Sequence, residues 1–159
     1  MIELKLLLLI LIANGAPVLA RDVLGKRLAL PIDFNVAFID ERPLFGSTKT
    51  WRGIIAAMLC CGPAAWLLGF NPWLGLVVAG LAMFGDLLAS FIKRRLKLAP
   101  SSRALGLDQV PESLLPMLGC QFQLDLGWHS TLIVVVLFIV LELVLSRLMY
   151  QLHIRKRPY

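Results

Sequence analysis

Cysteine, histidine and negative charge are all scarce in this chain of 159 residues. Its three cysteines, Cys60, Cys61 and Cys120, fall in apolar runs, and no CxxC occurs. That excludes a disulfide framework and a cysteine zinc site, and buried, reduced thiols are the expectation. His129 and His153 stand alone, with no HExxH around either. No GxxxxGK[ST] loop is present, so a Walker A cradle is excluded. There is also no repeat of about 20–50 residues and no low-complexity tract. Polar residues are too few for a soluble domain: the chain is 58% hydrophobic, with a mean hydropathy of +0.79.

The apolar residues come in blocks: residues 4–20, 53–70, 73–92, 111–126 and 128–149. A bilayer core of about 30 Å asks for blocks of about 20 residues, so these predict five membrane helices. The expected fold is an all-α integral membrane protein, one membrane domain over residues 1–159. The first block resembles a signal peptide in Val18 and Ala20. Its leading segment, however, sets Glu3 beside Lys5, and cleavage would strand the basic stretch after Arg21 outside the cell, so a retained helix is expected. Asn14 and Pro17 interrupt it, and such breaks in a membrane helix need a partner or line a cavity.

Positive charge decides the expected orientation. Arg21, Lys26, Arg27, Arg42, Lys49 and Arg52 lie in or beside the first long loop, residues 21–52. Lys93, Arg94, Arg95, Lys97 and Arg103 occupy the second, residues 93–110, and Arg147, Arg155, Lys156 and Arg157 end the chain. Only Lys5 remains. All three clusters are cytoplasmic if the amino terminus is outside, the carboxyl terminus is cytoplasmic and the chain crosses five times. The net charge of +6 therefore reports membrane orientation and gives no reason to expect nucleic acid. The fourth block is the most polar and belongs inside the bundle. Trp51, Trp73 and Trp128 fall at expected interfaces, with Trp66 near the outer one.

Three segments carry polar chemistry, all at cytoplasmic helix ends. In Gly46-Ser47-Thr48-Lys49-Thr50-Trp51-Arg52-Gly53 a loop runs into a helix. Ser47, Thr48 or Thr50 can cap it, and its free N–H groups with Lys49 and Arg52 suit phosphate. The alternative is an ordinary capped helix with positive-inside charges. In the second segment Asp86, Ser90 and Lys93 share one face at i, i+4 and i+7. Asp86 lies about 10 Å below Lys93, inside the hydrocarbon, where a carboxylate is costly; it is suited to a divalent cation or to an interhelical ion pair. In the third, Asp108 and Glu112 stand four residues apart around Pro111, a pattern that also suits an ordinary helix start. Glu142, one turn inside the last helix, reads as a partner of Arg147 or of another helix. Cations for phosphates and carboxylates for Mg²⁺ are what nucleotidyl transfer needs.

At these residues the chain resembles the CDP-archaeol synthase family, within the clan of integral-membrane phosphatidate cytidylyltransferases. The resemblance covers most of the length. It rests on Asn14 with Pro17, Pro31-Ile32-Asp33, Arg42-Pro43-Leu44-Phe45-Gly46-Ser47, Lys49-Thr50-Trp51-Arg52-Gly53, Gly85-Asp86, Ser90-Phe91-Ile92-Lys93-Arg94-Arg95 and Leu107-Asp108-Gln109. It implies a Mg²⁺-assisted transfer of CMP from CTP to a lipid phosphate, an ether-linked isoprenoid glycerol phosphate in this family, with release of pyrophosphate. Carried over, Asp86 and Asp108 are metal-binding carboxylates. Lys49, Arg52, Lys93 and Arg94 hold phosphates, Ser47, Thr50 and Ser90 add polar contacts, and Asn14 lines the headgroup cavity. One departure stands out: the family commonly has a second Asp two places after Leu-Asp-Gln, whereas here Val110-Pro111 intervene before Glu112. Either Glu112 substitutes as the second carboxylate, or the metal uses water, or the chain is a divergent branch with altered activity.

Two other classes compete. The Asp-Gly…Ala-Arg…Gly…Asp…Asp pattern of the CDP-alcohol phosphotransferases is absent. A non-enzymatic membrane scaffold or transporter would account for the helices and a buried Asp, but not for the cradle and basic cluster at one end. No oligomeric state is implied.

Overall fold

The computed structural model describes residues 1–98, 104 and 106–151. Arg103, His153, Arg155, Lys156 and Arg157 lie outside the described residues. Among these residues there are five helices: α1 (Ile2–Leu24), α2 (Trp51–Leu67), α3 (Pro72–Arg95), α4 (Gln109–Leu124) and α5 (Trp128–Gln151). Among the described residues α1, α3 and the Trp128–Leu148 part of α5 are long and apolar enough to cross a membrane, and α2 is a shorter apolar helix.

Local chemistry sets the helix ends. Thr50 caps α2 by accepting from the Gly53 N–H at 3.4 Å, so the helix starts at Trp51, two residues before its apolar block. Asn71 caps α3 with Pro72 in the first turn. At its other end α3 runs past residue 92 through Lys93, Arg94 and Arg95, so the basic cluster is its last helical turn rather than loop. Cations there complement the helix dipole. Pro17 does not stop α1, which continues to Leu24, and Asn14 Nδ2 donates back to the Ile10 carbonyl at 3.0 Å. α4 covers 109–124, two residues earlier than its apolar block, and ends on Asp125 in the left-handed region.

Leu6, Leu9, Ile10, Val78, Met117, Val134 and Phe138 are fully buried and join α1, α3, α4 and α5 in one core. Two glycines let backbones touch. A Cβ on Gly75 would sit 2.2 Å from the Cys61 carbonyl oxygen, and one on Gly85 would sit 2.3 Å from that of Pro111. The first contact seats α3 on α2, the second seats it on α4. α4 turns Gln109, Glu112 and Ser113 inward, all buried, as its polarity requires. Cys61 and Cys120 are buried, but Cys60 is exposed, because it faces out one position along from Cys61 on the same helix.

The 25–50 segment is ordered by its own bonds. Ile32 and Trp51 N–H groups donate to the Lys49 and Leu30 carbonyls at 2.9 and 3.1 Å. The Asp33 carboxylate, itself buried, accepts from the N–H groups of Asn35, Phe45 and Gly46 at 3.1, 3.0 and 2.9 Å. The segment is strapped to α3: Arg95 pairs with Asp40, donates to the Pro43 carbonyl at 2.8 Å, and stacks about equally on Phe38 and Phe91. Arg42 donates to the Arg94 carbonyl at 3.3 Å.

Candidate active site

Beneath this strapped segment lies a cavity of about 490 Å³. Its walls bring together Asn14 from α1, Lys49, Thr50 and Arg52 from the start of α2, Asp86, Ser90, Lys93 and Arg94 from α3, and Glu112 from α4. The face expected at i, i+4 and i+7 of α3 is thus the face that lines it. Ser47 is exposed and outside the lining, because the turn at Gly46, with φ of 95°, sends Lys49 inward while Ser47 stays on the outer side.

Two lysine–aspartate pairs structure the site. Lys49 Nζ contacts both Asp86 carboxylate oxygens, at 2.5 and 2.6 Å, and each side chain is 22% exposed. Lys93 Nζ lies 2.6 Å from Asp108 Oδ1. Asp108 also acts electrostatically on Arg94. Asp108 is not part of the cavity lining; it stands behind the wall and holds a cation that is.

Asp86 has a second partner. The Glu112 carboxyl group lines the same cavity and interacts electrostatically with it, and Glu142 of α5 acts on Glu112 as well. The backbone contact at Gly85 explains the meeting: Pro111 and the Glu112 nitrogen sit against Gly85, the residue before Asp86. Two neighbouring carboxyl groups favour a proton or a cation near them. Mg²⁺ commonly takes only one or two carboxylates, with waters and phosphate oxygens completing its shell, so the Asp86–Glu112 pair fits it. Among the described residues no group of three His, Cys, Asp or Glu side chains is gathered tightly enough to hold a metal alone. Asp86, Asp108 and Glu112 therefore do not form one three-carboxylate cluster.

Arg52 reaches the rim, and its guanidinium donates to the Gly25 and Arg27 carbonyls at 2.9 and 2.6 Å, tying the end of α1 to the start of α2. Glu142 was not expected here. It lines the cavity beside Leu145 and Ser146, the latter four residues on, on a helix that is otherwise mostly apolar. The spacing of Glu142 and Ser146 was the available signal.

The comparisons with known proteins agree with one another. The family model for CDP-archaeol synthase (CarS-like) matches residues 1–70 and 71–159. The CDP-archaeol synthase of Sulfurisphaera tokodaii is 32% identical over 94% of this chain and 90% of its own length. That of Pyrobaculum calidifontis is 33% identical over 93% and 91%. A solved structure reported as an intramembrane enzyme for archaeal membrane lipids biosynthesis superposes with a TM-score of 0.74 at 29% identity, covering 89% of this chain and 90% of that one.

Proposed function

Because the chain belongs to the CDP-archaeol synthase family, and is thereby a membrane cytidylyltransferase that moves CMP from CTP to an archaeol-type lipid phosphate, we propose that this transfer takes place in the cavity beneath the 25–50 segment. The observation that carries the assignment is the meeting of Asp86 and Glu112 with Lys49, Lys93 and Arg94 on the walls of one cavity. A phosphate oxygen of the lipid bonds to the α-phosphorus of CTP. The bond from that phosphorus to the β-bridging oxygen breaks, and pyrophosphate leaves with the electron pair.

Each residue has a task in this reading. Lys49, Lys93, Arg94 and Arg52 bind phosphate oxygens and offset their charge inside a low-dielectric cavity. Thr50 and Ser90 add hydroxyl contacts, and Asn14 meets the lipid headgroup from α1. Ser47, on the outer side of the turn, meets the nucleotide only at the cavity mouth. Asp86 and Glu112 hold Mg²⁺, which when bound neutralises phosphate charge. Asp108 acts through Lys93, holding its ammonium group against the wall. Arg21, Lys26, Arg27 and the last turn of α3 gather at the cavity end, and among the described Lys and Arg residues Lys5 alone lies at the far end. That asymmetry supports an end open to the cytoplasm, an outside amino terminus and five crossings within a single membrane domain.

The test is to incubate detergent-purified protein with labelled CTP, Mg²⁺ and a panel of archaeol-type and diacyl lipid phosphates. A labelled CDP-lipid that forms only with the ether lipid and disappears with EDTA is the expected result. Product that forms equally in EDTA removes the metal from the reading.

A further inference from the structure

The ammonium group of Lys49 takes up both oxygens of Asp86, the carboxylate that also interacts with Glu112 across the same cavity wall. No second cation is needed there while Lys49 stays. A divalent ion at the same oxygens would face the ammonium charge at close range, and repulsion at that distance in a partly buried site is large. Lys49 also sits on a movable arm. Its flexible four-carbon stem projects from the turn that follows Gly46, and the same side chain lines the cavity where a triphosphate would lie.

We propose that Lys49 fills the cation position at Asp86 in the nucleotide-free enzyme, so that free divalent ions are kept out and the metal enters together with the triphosphate. The inference rests on the active-site reading above and adds an order to it. Phosphate oxygens draw the ammonium group off Asp86, and the vacated carboxylate, with Glu112, then accepts the metal that travels on the nucleotide. By linkage the metal and the nucleotide strengthen each other's binding. An enzyme built this way does not hold a metal ion idle in an open site.

Mn²⁺ binding to the detergent-purified full chain, followed by electron paramagnetic resonance without lipid, tests this with no turnover. Without nucleotide, Lys49→Met is expected to bind Mn²⁺ about 5- to 150-fold more tightly than wild type, and Lys49→Arg, which keeps the charge, as weakly as wild type. Adding CTP at matched free Mn²⁺ is expected to raise the protein-bound Mn²⁺ of wild type. Unchanged or weaker Mn²⁺ binding in Lys49→Met overturns the proposal, as does equal binding by wild type with and without CTP. The double variant Lys49→Met with Asp86→Asn separates the two levels. If it binds Mn²⁺ as tightly as Lys49→Met alone, the metal is not at Asp86 and the active-site reading fails first.

Discussion

The two ends of the helix bundle are built on opposite rules. At the end where α1 and α3 finish, charged side chains from three elements meet around a cavity: Lys49 of the 25–50 segment, Asp86 and Lys93 of α3, and Glu112 of α4 all line it. At the other end the space is filled. Leu6, Leu9, Val78, Met117 and Val134 leave nothing exposed, and polar contacts are few: Lys5 donates to the Leu68 carbonyl at 2.7 Å, and Ser130 to Glu3 at 3.1 Å. One end holds the helices together, and the other spends that rigidity on keeping ionic groups at fixed positions. Function and stability should therefore separate by position.

The largest effect expected is from Asp86→Asn, which should lower kcat by at least about 10³-fold while thermal unfolding in detergent stays close to wild type. Equal loss of both would break the contrast. Met117→Ala in the packed end should cost about 2–5 kcal/mol of stability, read as a lower unfolding midpoint, with the specific activity of the folded fraction kept. A smaller effect belongs to Asp33. Burial alone would raise its pKa, but the Phe45, Gly46 and Asn35 N–H groups outweigh this and hold it below its ordinary 3.8. Its folded value being the lower one, the stability it lends the 25–50 segment is full above the unfolded pKa and is lost as pH falls through the folded pKa. Protease nicking of that segment should rise only below about pH 4, and Asp33→Asn should remove the dependence. The smallest effect is Lys5→Met, which removes a charged donor from the end of α2 and should cost about 1 kcal/mol without touching catalysis.

Much of this was legible because membrane helices announce themselves in composition. Five apolar blocks predicted five helices, and the Thr50 and Asn71-Pro72 signals lay where two of them begin. The α3 face of Asp86, Ser90 and Lys93 was legible because one helix fixes its own periodicity. What crosses between helices was not. Glu142 shares its face of an otherwise mostly apolar helix with Ser146 alone, a pair too short to say which neighbouring helix it faces. Asp108 meets Lys93 rather than Asp86 because of where the α3 and α4 ends fall, and that is a tertiary fact. Asp33 organises residues a dozen positions away through backbone N–H groups, which carry no side-chain signature.

The contact of Gly85 with Pro111 has a wider consequence. Main chain abuts main chain beside the two carboxyl groups, with no side chain between to compress or rotate. The contact works as a gauge block: it sets the separation of the α3 and α4 backbones at the level of Asp86 by atoms that cannot be swapped for others. A single added methyl group at residue 85 would change that separation directly.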